Sequence, residues 1–167
     1  MATLLQPQPE RRKITPFLMF DGQAEEAARF YVSLLPDSRI DRVTRSPADT
    51  PSGTAGAVLV VEFTLADSSF IALNGPRHPF TEAVSFQIHC ADQAEVDQLW
   101  AALTAGGSEV ACGWLKDRWG LSWQVTPTRL YELLNDANPD RARRAMEAMM
   151  GMVKIDIAEV ERAADGA

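Results

Sequence analysis

Three side chains in this sequence are of types that can bind a metal ion or transfer a proton in a small-molecule site. They are His89 in "VSFQIHC", Gln124 in "LSWQV" and Glu62 in "AVLVVEFTL". An imidazole, a carboxamide and a carboxylate together could hold a divalent cation or move a proton. The simpler interpretations are a single hydrogen-bonded imidazole at His89 and an ion pair between Glu62 and an arginine such as Arg42. Glu62 and His89 are therefore weak candidates for catalysis, and the sequence leaves open whether the protein is an enzyme.

Three tryptophans occur within one short segment, "CGWLKDRWGLSW". They are Trp114, Trp119 and Trp123. A buried indole contributes a large apolar area and an N–H that needs a partner. These rings either close one end of a cavity over a flat apolar ligand or fill the protein core, and the sequence leaves both interpretations open.

Charge and composition exclude several classes of partner. The chain of 167 residues has a net charge of −7, whereas nucleic-acid binding requires a basic face. Two cysteines outside any CxxC motif, with no signal peptide, predict a cytoplasmic location. No stretch approaches the roughly 18 apolar residues of a membrane span. Residues 1–13, which contain Pro7 and Pro9, are predicted to be a flexible leader.

The elements that must position these side chains follow a pattern that occurs twice. Each copy begins with a strand, at 14–20 and at 84–90, and continues into "DGQAEEA" or "ADQAEVD". An amphipathic helix follows each turn. Its predicted buried stripe is Ala27, Phe30, Tyr31 and Leu34 in the first copy, and Val96, Leu99, Trp100 and Leu103 in the second. The strands of the two copies align at an offset of 70 residues and the helices at an offset of 69. A difference of one residue in the turn between strand and helix accounts for this.

Further strands complete each copy, and helices end the chain. The strands are predicted in "RIDRVTRS", "AVLVVEFTL", "FIALN", "SEVACGWL" and "LSWQVTP", the last two around the turn "KDRWG". Asp92 with Glu95 has the form of a capping box, Gly106-Gly107 ends the second helix, and Asn138-Pro139 begins one of two or three C-terminal helices. A methionine-rich surface there packs on the domain or forms a dimer contact: Met146, Met149, Met150, Met152 and Val153.

The two faces of the repeated strands differ in character, because side chains alternate along a strand. One face is apolar and is predicted to lie beneath the helices: Ile14, Pro16, Leu18 and Phe20, then Val84, Phe86, Ile88 and Cys90. The opposite face is mixed: Thr15, Phe17 and Met19, then Ser85, Gln87 and His89. Ser122 and Gln124 also share a face. Mixed faces of this kind are typical of a cavity lining.

The sequence resembles the PhnB-like family, also labelled demethylubiquinone methyltransferase-like, of the vicinal oxygen chelate superfamily that includes glyoxalase I and dioxygenases. The resemblance rests on "FYVSLLPDSRI", "FIALNGP", "TEAVSFQIHC", "EVDQLW", "CGWLKDRWGLSWQVTP" and "AMEAMMGMVKIDIAEVERA". It implies an α+β fold in which two βαβββ modules form a curled, barrel-like mixed sheet around a cavity. The single domain would span 14–163, with modules at about 14–80 and 81–130 and C-terminal helices at about 131–163. A homodimer is also expected from the resemblance.

The resemblance also places the family's metal-binding positions on this chain. Chelating members use His, Gln or Glu from the first and last strand of each module, and the matching positions here are Thr15, Ser85, Ala72 or Asn74, and Gln124. These neutral groups are weak ligands, so no essential metal and no cofactor are expected. Methyl transfer is unsupported as well, because a doubly wound cofactor site needs a Gly-rich turn between strand and helix.

The sequence therefore predicts a protein that binds a small, partly apolar molecule in a cavity without an essential metal. One alternative is a metal-dependent lyase, isomerase or dioxygenase of the glyoxalase type, and another is a non-catalytic dimeric scaffold. The predicted ligand contacts are Thr15, Phe17, Met19, Glu62, Ser85, Gln87, His89, Trp114, Trp119, Trp123 and Gln124.

Overall fold

A computed structural model describes residues 13–167, and the predicted leader therefore lies outside the described residues except for Lys13. The chain divides into two compact units, the first ending at His78 and the second spanning Pro79–Ala167. This division falls close to the predicted boundary between modules at residue 80. The predicted C-terminal helices belong to the second unit.

The first unit has the order strand, helix, strand, strand, strand. Its elements are β1 (Phe17–Phe20), α1 (Ala24–Val32), β2 (Arg39–Arg45), β3 (Val58–Leu65) and β4 (Ser68–Asn74). The sheet order is β1-β4-β3-β2, with β1 and β4 parallel and the other neighbours antiparallel. The chain therefore crosses the sheet through α1 and returns by two hairpin steps to lie beside its own first strand.

The second unit repeats this topology and adds three helices. Its elements are β5 (Ser85–Cys90), α2 (Gln93–Thr104), β6 (Ser108–Glu109), β7 (Trp114–Lys116), β8 (Ser122–Pro127), α3 (Thr128–Leu134), α4 (Pro139–Met150) and α5 (Ile157–Asp165). The sheet order β5-β8-β7-β6 matches that of the first unit, again with first and last strands parallel. The predicted α+β class with two βαβββ modules is confirmed. Within residues 13–167, the two sheets are not closed into a barrel.

The predicted division of the strand faces is confirmed in part. Leu18 and Phe20 in the first unit, and Ile88 and Cys90 in the second, are buried, and Pro16 and Phe86 are half-buried. Ile14 and Val84 were predicted to lie beneath the helices, but they precede β1 and β5 and are exposed. The buried stripe of α2 is the predicted one. In α1 the prediction is only partly right, because the buried positions are Ala24, Ala27, Ala28 and Tyr31, while Phe30 and Leu34 are half-buried. Three of the four buried positions are alanines, which let the helix lie close to the sheet, and Tyr31 is the large buried side chain, stacked with Phe63.

One predicted strand is interrupted. The segment 108–115 forms two short strands, β6 and β7, because the chain turns at Cys112 and Gly113, which both have positive φ. Their backbone N–H groups donate to the carbonyls of Met152 and Val153, at 2.8 Å each. A Cβ at Gly113 would meet Ile155 Cγ1 and Val125 O at 3.1 Å. This turn therefore attaches the C-terminal segment to the sheet of the second unit.

The three C-terminal helices have a small core of their own. It consists of Leu130, Leu133, Ala145, Met152, Ile155, Val160 and Ala164, with Met149 packed against it. Asn138 is the predicted N-cap and accepts from the N–H groups of Asp140 and Arg141. Met146, Met150 and Val153 remain exposed. None of the helices in residues 13–167 combines the length and apolar character that crossing a bilayer requires.

The N-terminus of α1 is capped from a distant strand. The Asn74 side chain is 8% exposed; its Oδ1 accepts from Ala24 N at 2.8 Å and its Nδ2 donates to Val58 O at 2.9 Å. In α2 the local Asp92 accepts from Glu95 N at 2.9 Å, as the capping box predicts. Asn74 therefore joins helix and sheet, a role that the alignment with metal-binding positions did not anticipate.

We expect Asn74→Ala to lower the free energy of unfolding by about 1–2 kcal/mol, because it removes the partner of a helix N–H and of the partly buried Val58 carbonyl. Urea denaturation followed by circular dichroism measures the change. Asn135→Ala is the matched control, since Asn135 is exposed and its amide donates to the carbonyl of Tyr131 in the same helix end. Equal losses in the two variants would contradict the capping role of Asn74.

Candidate functional site

The sheet of the second unit carries a hydrogen-bonded row of neutral polar side chains on the face away from α2. Gln87 Nε2 donates to Gln124 Oε1 and to Thr126 Oγ1, both at 3.1 Å, and Gln124 Nε2 donates to Ser85 Oγ at 2.9 Å. The parallel register of β5 and β8 places these groups side by side, with Gln87 opposite Gln124. We call Ser85, Gln87, Gln124 and Thr126 the polar network.

Two aromatic groups border the polar network. Trp114 pairs with Gln124 across β7 and β8, so its half-buried indole lies on the same face. His89 pairs with Thr126, is exposed, and has its ring centroid 5.7 Å from that of Tyr131 on α3. The structure thus brings five predicted contacts onto one surface: Ser85, Gln87, His89, Trp114 and Gln124.

Sequence reasoning missed Thr126 as part of this surface. The signal was present in "LSWQVTP", where Ser122, Gln124 and Thr126 occupy alternate positions and must share a face. Thr126 is 7% exposed and accepts a hydrogen bond from Gln87, so it anchors that amide.

The corresponding face of the first unit has the opposite character. When the pair Phe20–Asn74 is aligned with Cys90–Pro127, Phe17 and Ile71 correspond to Gln87 and Gln124. Met19 and Leu73 likewise correspond to His89 and Thr126. Met19 packs over Gly75, where a Cβ would lie only 2.9 Å from its Sδ. The predicted contacts Phe17 and Met19 therefore belong to an apolar surface, and Thr15 lies half-buried just before β1.

Glu62 also lies on this apolar face of the first sheet, where it is paired. Arg42 stands opposite it across β2 and β3, and Arg42 Nε is 3.1 Å from Glu62 Oε2. The ion pair anticipated as the simpler interpretation is thus present. The Glu62 carboxylate is therefore engaged within the sheet by the guanidinium of Arg42.

Trp123 lies on the other side of its sheet. It pairs with Phe86 and Leu115, is 3% exposed, and its Nε1 donates to Asp117 Oδ2 at 2.9 Å. The prediction of a ligand contact at Trp123 is therefore corrected: its indole fills the core beneath the sheet. Alternation with Ser122 and Gln124 already required this placement.

Asp117 fixes the turn that carries the third tryptophan. Its buried Oδ1 accepts from Trp119 N at 2.9 Å and from Leu121 N at 3.1 Å. Trp119 is half-buried, and the Arg118 guanidinium carbon lies 5.5 Å from the centroid of its ring. The turn "KDRWG" is thus held by one carboxylate, and Trp119 lies in that turn rather than on β7 or β8.

The described residues do not fit the metal chemistry that the superfamily implies. Asn74 is occupied as a helix cap, Ala72 offers no donor side chain, and Gln124 offers a neutral amide that the polar network already uses. Within residues 13–167, no three His, Cys, Asp or Glu side chains are grouped so that they could hold an ion. A site of neutral oxygen donors alone gains too little to replace the hydration of a divalent cation.

Both cysteines lie in the described part of the chain and carry free thiols. Burial, with the nearby Glu95 and Asp92 carboxylates, raises the pKa of the Cys90 thiol to about 12. A thiol with so high a pKa stays protonated near neutral pH and is not a nucleophile. Cys90 is therefore a core residue.

Comparison with known proteins gives a consistent result. The family model described as 3-demethylubiquinone-9 3-methyltransferase matches residues 12–126. The PhnB protein from Bacillus cereus is 35% identical, over 70% of this chain and 100% of that chain, with a TM-score of 0.64. A protein from Pseudomonas aeruginosa is 22% identical, over 70% of this chain and 98% of its own, with a TM-score of 0.53. No curated protein matches the chain significantly.

We expect Trp123→Phe to lower the free energy of unfolding by about 2–3 kcal/mol, since it removes buried volume and one donor to the buried Asp117 carboxylate. Trp114→Phe, on the half-buried face, should cost less than half as much. Thermal unfolding measures both, at about 2–4 °C per kcal/mol for a chain of this size. A larger loss in Trp114→Phe would contradict the assigned faces.

Proposed function

This chain belongs to the PhnB-like family described as 3-demethylubiquinone-9 3-methyltransferase, and from that premise we propose that it binds a small, partly apolar molecule without an essential metal. The binding surface is the face of the second sheet that carries the polar network. The observation that supports this proposal is the chain of hydrogen bonds through Ser85, Gln124, Gln87 and Thr126 beside Trp114.

The polar network keeps hydrogen-bonding capacity for a ligand. A hydroxyl that accepts one hydrogen bond still has a hydrogen to donate, so Ser85 and Thr126 offer donors. The Gln87 side chain donates through its nitrogen within the network, and its carbonyl oxygen is an acceptor. From Ser85 to His89 the strand rises about 13 Å, at roughly 3.3 Å per residue. The surface therefore suits a molecule with several neutral polar groups and a length of about this size.

Apolar contact comes from the Trp114 ring next to Gln124. A flat apolar group stacked on an indole gains both buried area and a favourable ring geometry. The exposed imidazole of His89 ends the surface beside Tyr131 and offers a further polar contact. Thr15, Phe17, Met19, Glu62 and Trp119 stay predicted contacts, and the proposal does not depend on them.

Methyl transfer is not part of the proposal, although the family description names it. β1 is followed by Asp21-Gly22-Gln23 and β5 by Ala91-Asp92, so neither strand leads through a Gly-rich turn into its helix. In the second unit the side chain of Asp92 already caps α2 at the place where the carboxylate of a methyl donor would need free N–H groups. The described residues thus do not fit a doubly wound methyl-donor site.

A thermal-shift screen of small polar aromatic molecules, run with added divalent metals and again with a chelator, tests the proposed function. A ligand present at 100 times its dissociation constant should stabilise the folded protein by about 2.7 kcal/mol. We expect the same shift in both conditions. A shift that appears only with added metal would contradict binding without an essential metal.

Gln124→Leu then locates the site. Since it removes a donor and an acceptor from the polar network, it should weaken binding of the identified molecule by at least about tenfold. Gln98→Leu is the matched control, because Gln98 is exposed on α2, outside the polar network. If Gln124→Leu binds as well as Gln98→Leu does, the ligand does not bind at the polar network.

We also propose a cytoplasmic homodimer, supported by the two free thiols and by the exposed side chains of Met146, Met150 and Val153. Charging this surface with Met146→Glu and Met150→Glu should raise the dimer dissociation constant by at least about tenfold. Sedimentation equilibrium measures it, with Ala101→Glu on the exposed side of α2 as control. A dimer unaffected by the double substitution would show that the methionine-rich surface is not the contact.

A further inference from the structure

One row of residues across the second sheet contains a lysine among serines, although the proposed ligand surface on this sheet is otherwise neutral. Ser85 pairs with Ser122, Ser122 with Lys116, and Lys116 with Ser108. Paired residues point their side chains to the same face, so three hydroxyls and one ammonium lie in line across β5, β8, β7 and β6. We call these four residues the serine row.

The middle hydroxyl of the serine row has an unsatisfied hydrogen-bonding requirement. Ser122 is 1% exposed, and its Oγ has no hydrogen-bond partner among the residues that the structure describes. Nearly all buried hydroxyl groups in proteins have a hydrogen-bond partner, because burying one without a partner is unfavourable. A ligand acceptor that reached Ser122 would therefore satisfy a group that the folded chain leaves unsatisfied.

The ammonium of the serine row is already occupied by a carboxylate. Lys116 Nζ is 2.5 Å from Glu82 Oε1, and the Glu82 side chain is 62% exposed. Glu82 precedes β5 and is not part of the sheet. An exposed pair of this kind contributes little to stability, so the carboxylate can leave for water at small cost. Glu82 thus shows where an oxyanion fits against Lys116.

We propose that the serine row is a subsite for an oxyanion group of the ligand, a carboxylate or a phosphoryl group, and that Glu82 occupies it in the free protein. The incoming group displaces Glu82, pairs with Lys116 Nζ and accepts hydrogen bonds from the hydroxyls of Ser85 and Ser122. Hydrogen bonds to a charged acceptor are stronger than neutral ones. This inference rests on the proposed ligand face and narrows the ligand to molecules with an acidic group at one end.

The subsite can be tested with two simple anions, benzoate and inorganic phosphate, each titrated into the protein at constant ionic strength. The backbone amide shifts of Lys116 and Ser122 report binding in two-dimensional ¹H–¹⁵N spectra. Saturation by benzoate alone identifies a carboxylate, and saturation by phosphate alone identifies a phosphoryl group. We expect Lys116→Met to weaken binding of the anion by at least about tenfold. Glu82→Gln should strengthen it by about threefold, because it removes the competing charge.

Lys154→Met is the matched control. Lys154 pairs with Asp97 at a similar exposure but lies outside the sheet, so its loss should leave anion binding unchanged. The inference is overturned if neither anion saturates, if Lys116→Met binds as the unsubstituted protein does, or if Glu82→Gln does not bind more tightly.

These experiments distinguish failure of the oxyanion subsite from failure of the proposed function. A neutral ligand whose binding requires Gln124 and not Lys116 would overturn the oxyanion subsite and leave the proposed function intact. Anion binding that depends on Lys116, in a protein whose ligand does not require Gln124, would support the subsite and overturn the assignment of the polar network.

Discussion

The parallel pairing of the first and last strand in each unit is the constraint on which the rest of the structure depends. In the second unit it sets Gln87 opposite Gln124 and so allows the amide–amide hydrogen bond. A slip of one residue along β8 would bring Trp123 to this face and send Gln124 into the core. The buried side chains of Ile88, Trp123 and Val125 prevent such a slip, because they are held beneath α2 by the hydrophobic effect. The chemistry of one face is thus fixed by the packing of the other.

The two units keep the same topology but not the same surface. On the helix side both use large apolar residues, Phe63 and Tyr31 in the first unit and Leu115 and Trp123 in the second. On the opposite side, apolar residues in the first unit occupy the positions of amides, imidazole and hydroxyl in the second. Core packing preserves the repeat, whereas the outer faces can diverge because each exchange there leaves the fold intact.

The residue that caps the helix also differs between the two units. Asp92 caps α2 from the adjacent turn, whereas α1 uses Asn74 at the end of β4. Pro127, which occupies the position of Asn74 in the second unit, has no side-chain acceptor. A polar residue at a position that the resemblance assigns to metal binding can therefore serve the fold instead.

Much of the fold was predictable because it follows from local periodicity. Alternation placed Leu18, Phe20, Ile88 and Cys90 beneath the helices, and the cap at Asp92 was visible as a short motif. Contacts between distant positions were not predictable: nothing in the sequence around Asn74 indicates that it caps a helix fifty residues earlier. Trp114 and Trp123 lie on opposite faces because Trp114 pairs with Gln124 across β7 and β8 while Trp123 alternates with Gln124 along β8, and the spacing of the tryptophans alone does not show this. Ser122 and Lys116 became a candidate pair only when the register of β7 and β8 was known.

We propose that the amide pair of Gln87 and Gln124 recognises the ligand. The side-chain NH₂ resonances of these two glutamines, followed during titration with the first molecule that the protein is found to bind, test this proposal. Both NH₂ groups should shift with the same dissociation constant as the bulk binding signal, while that of Gln98 stays in place. Saturated binding that leaves the Gln87 and Gln124 resonances unmoved would contradict the proposal.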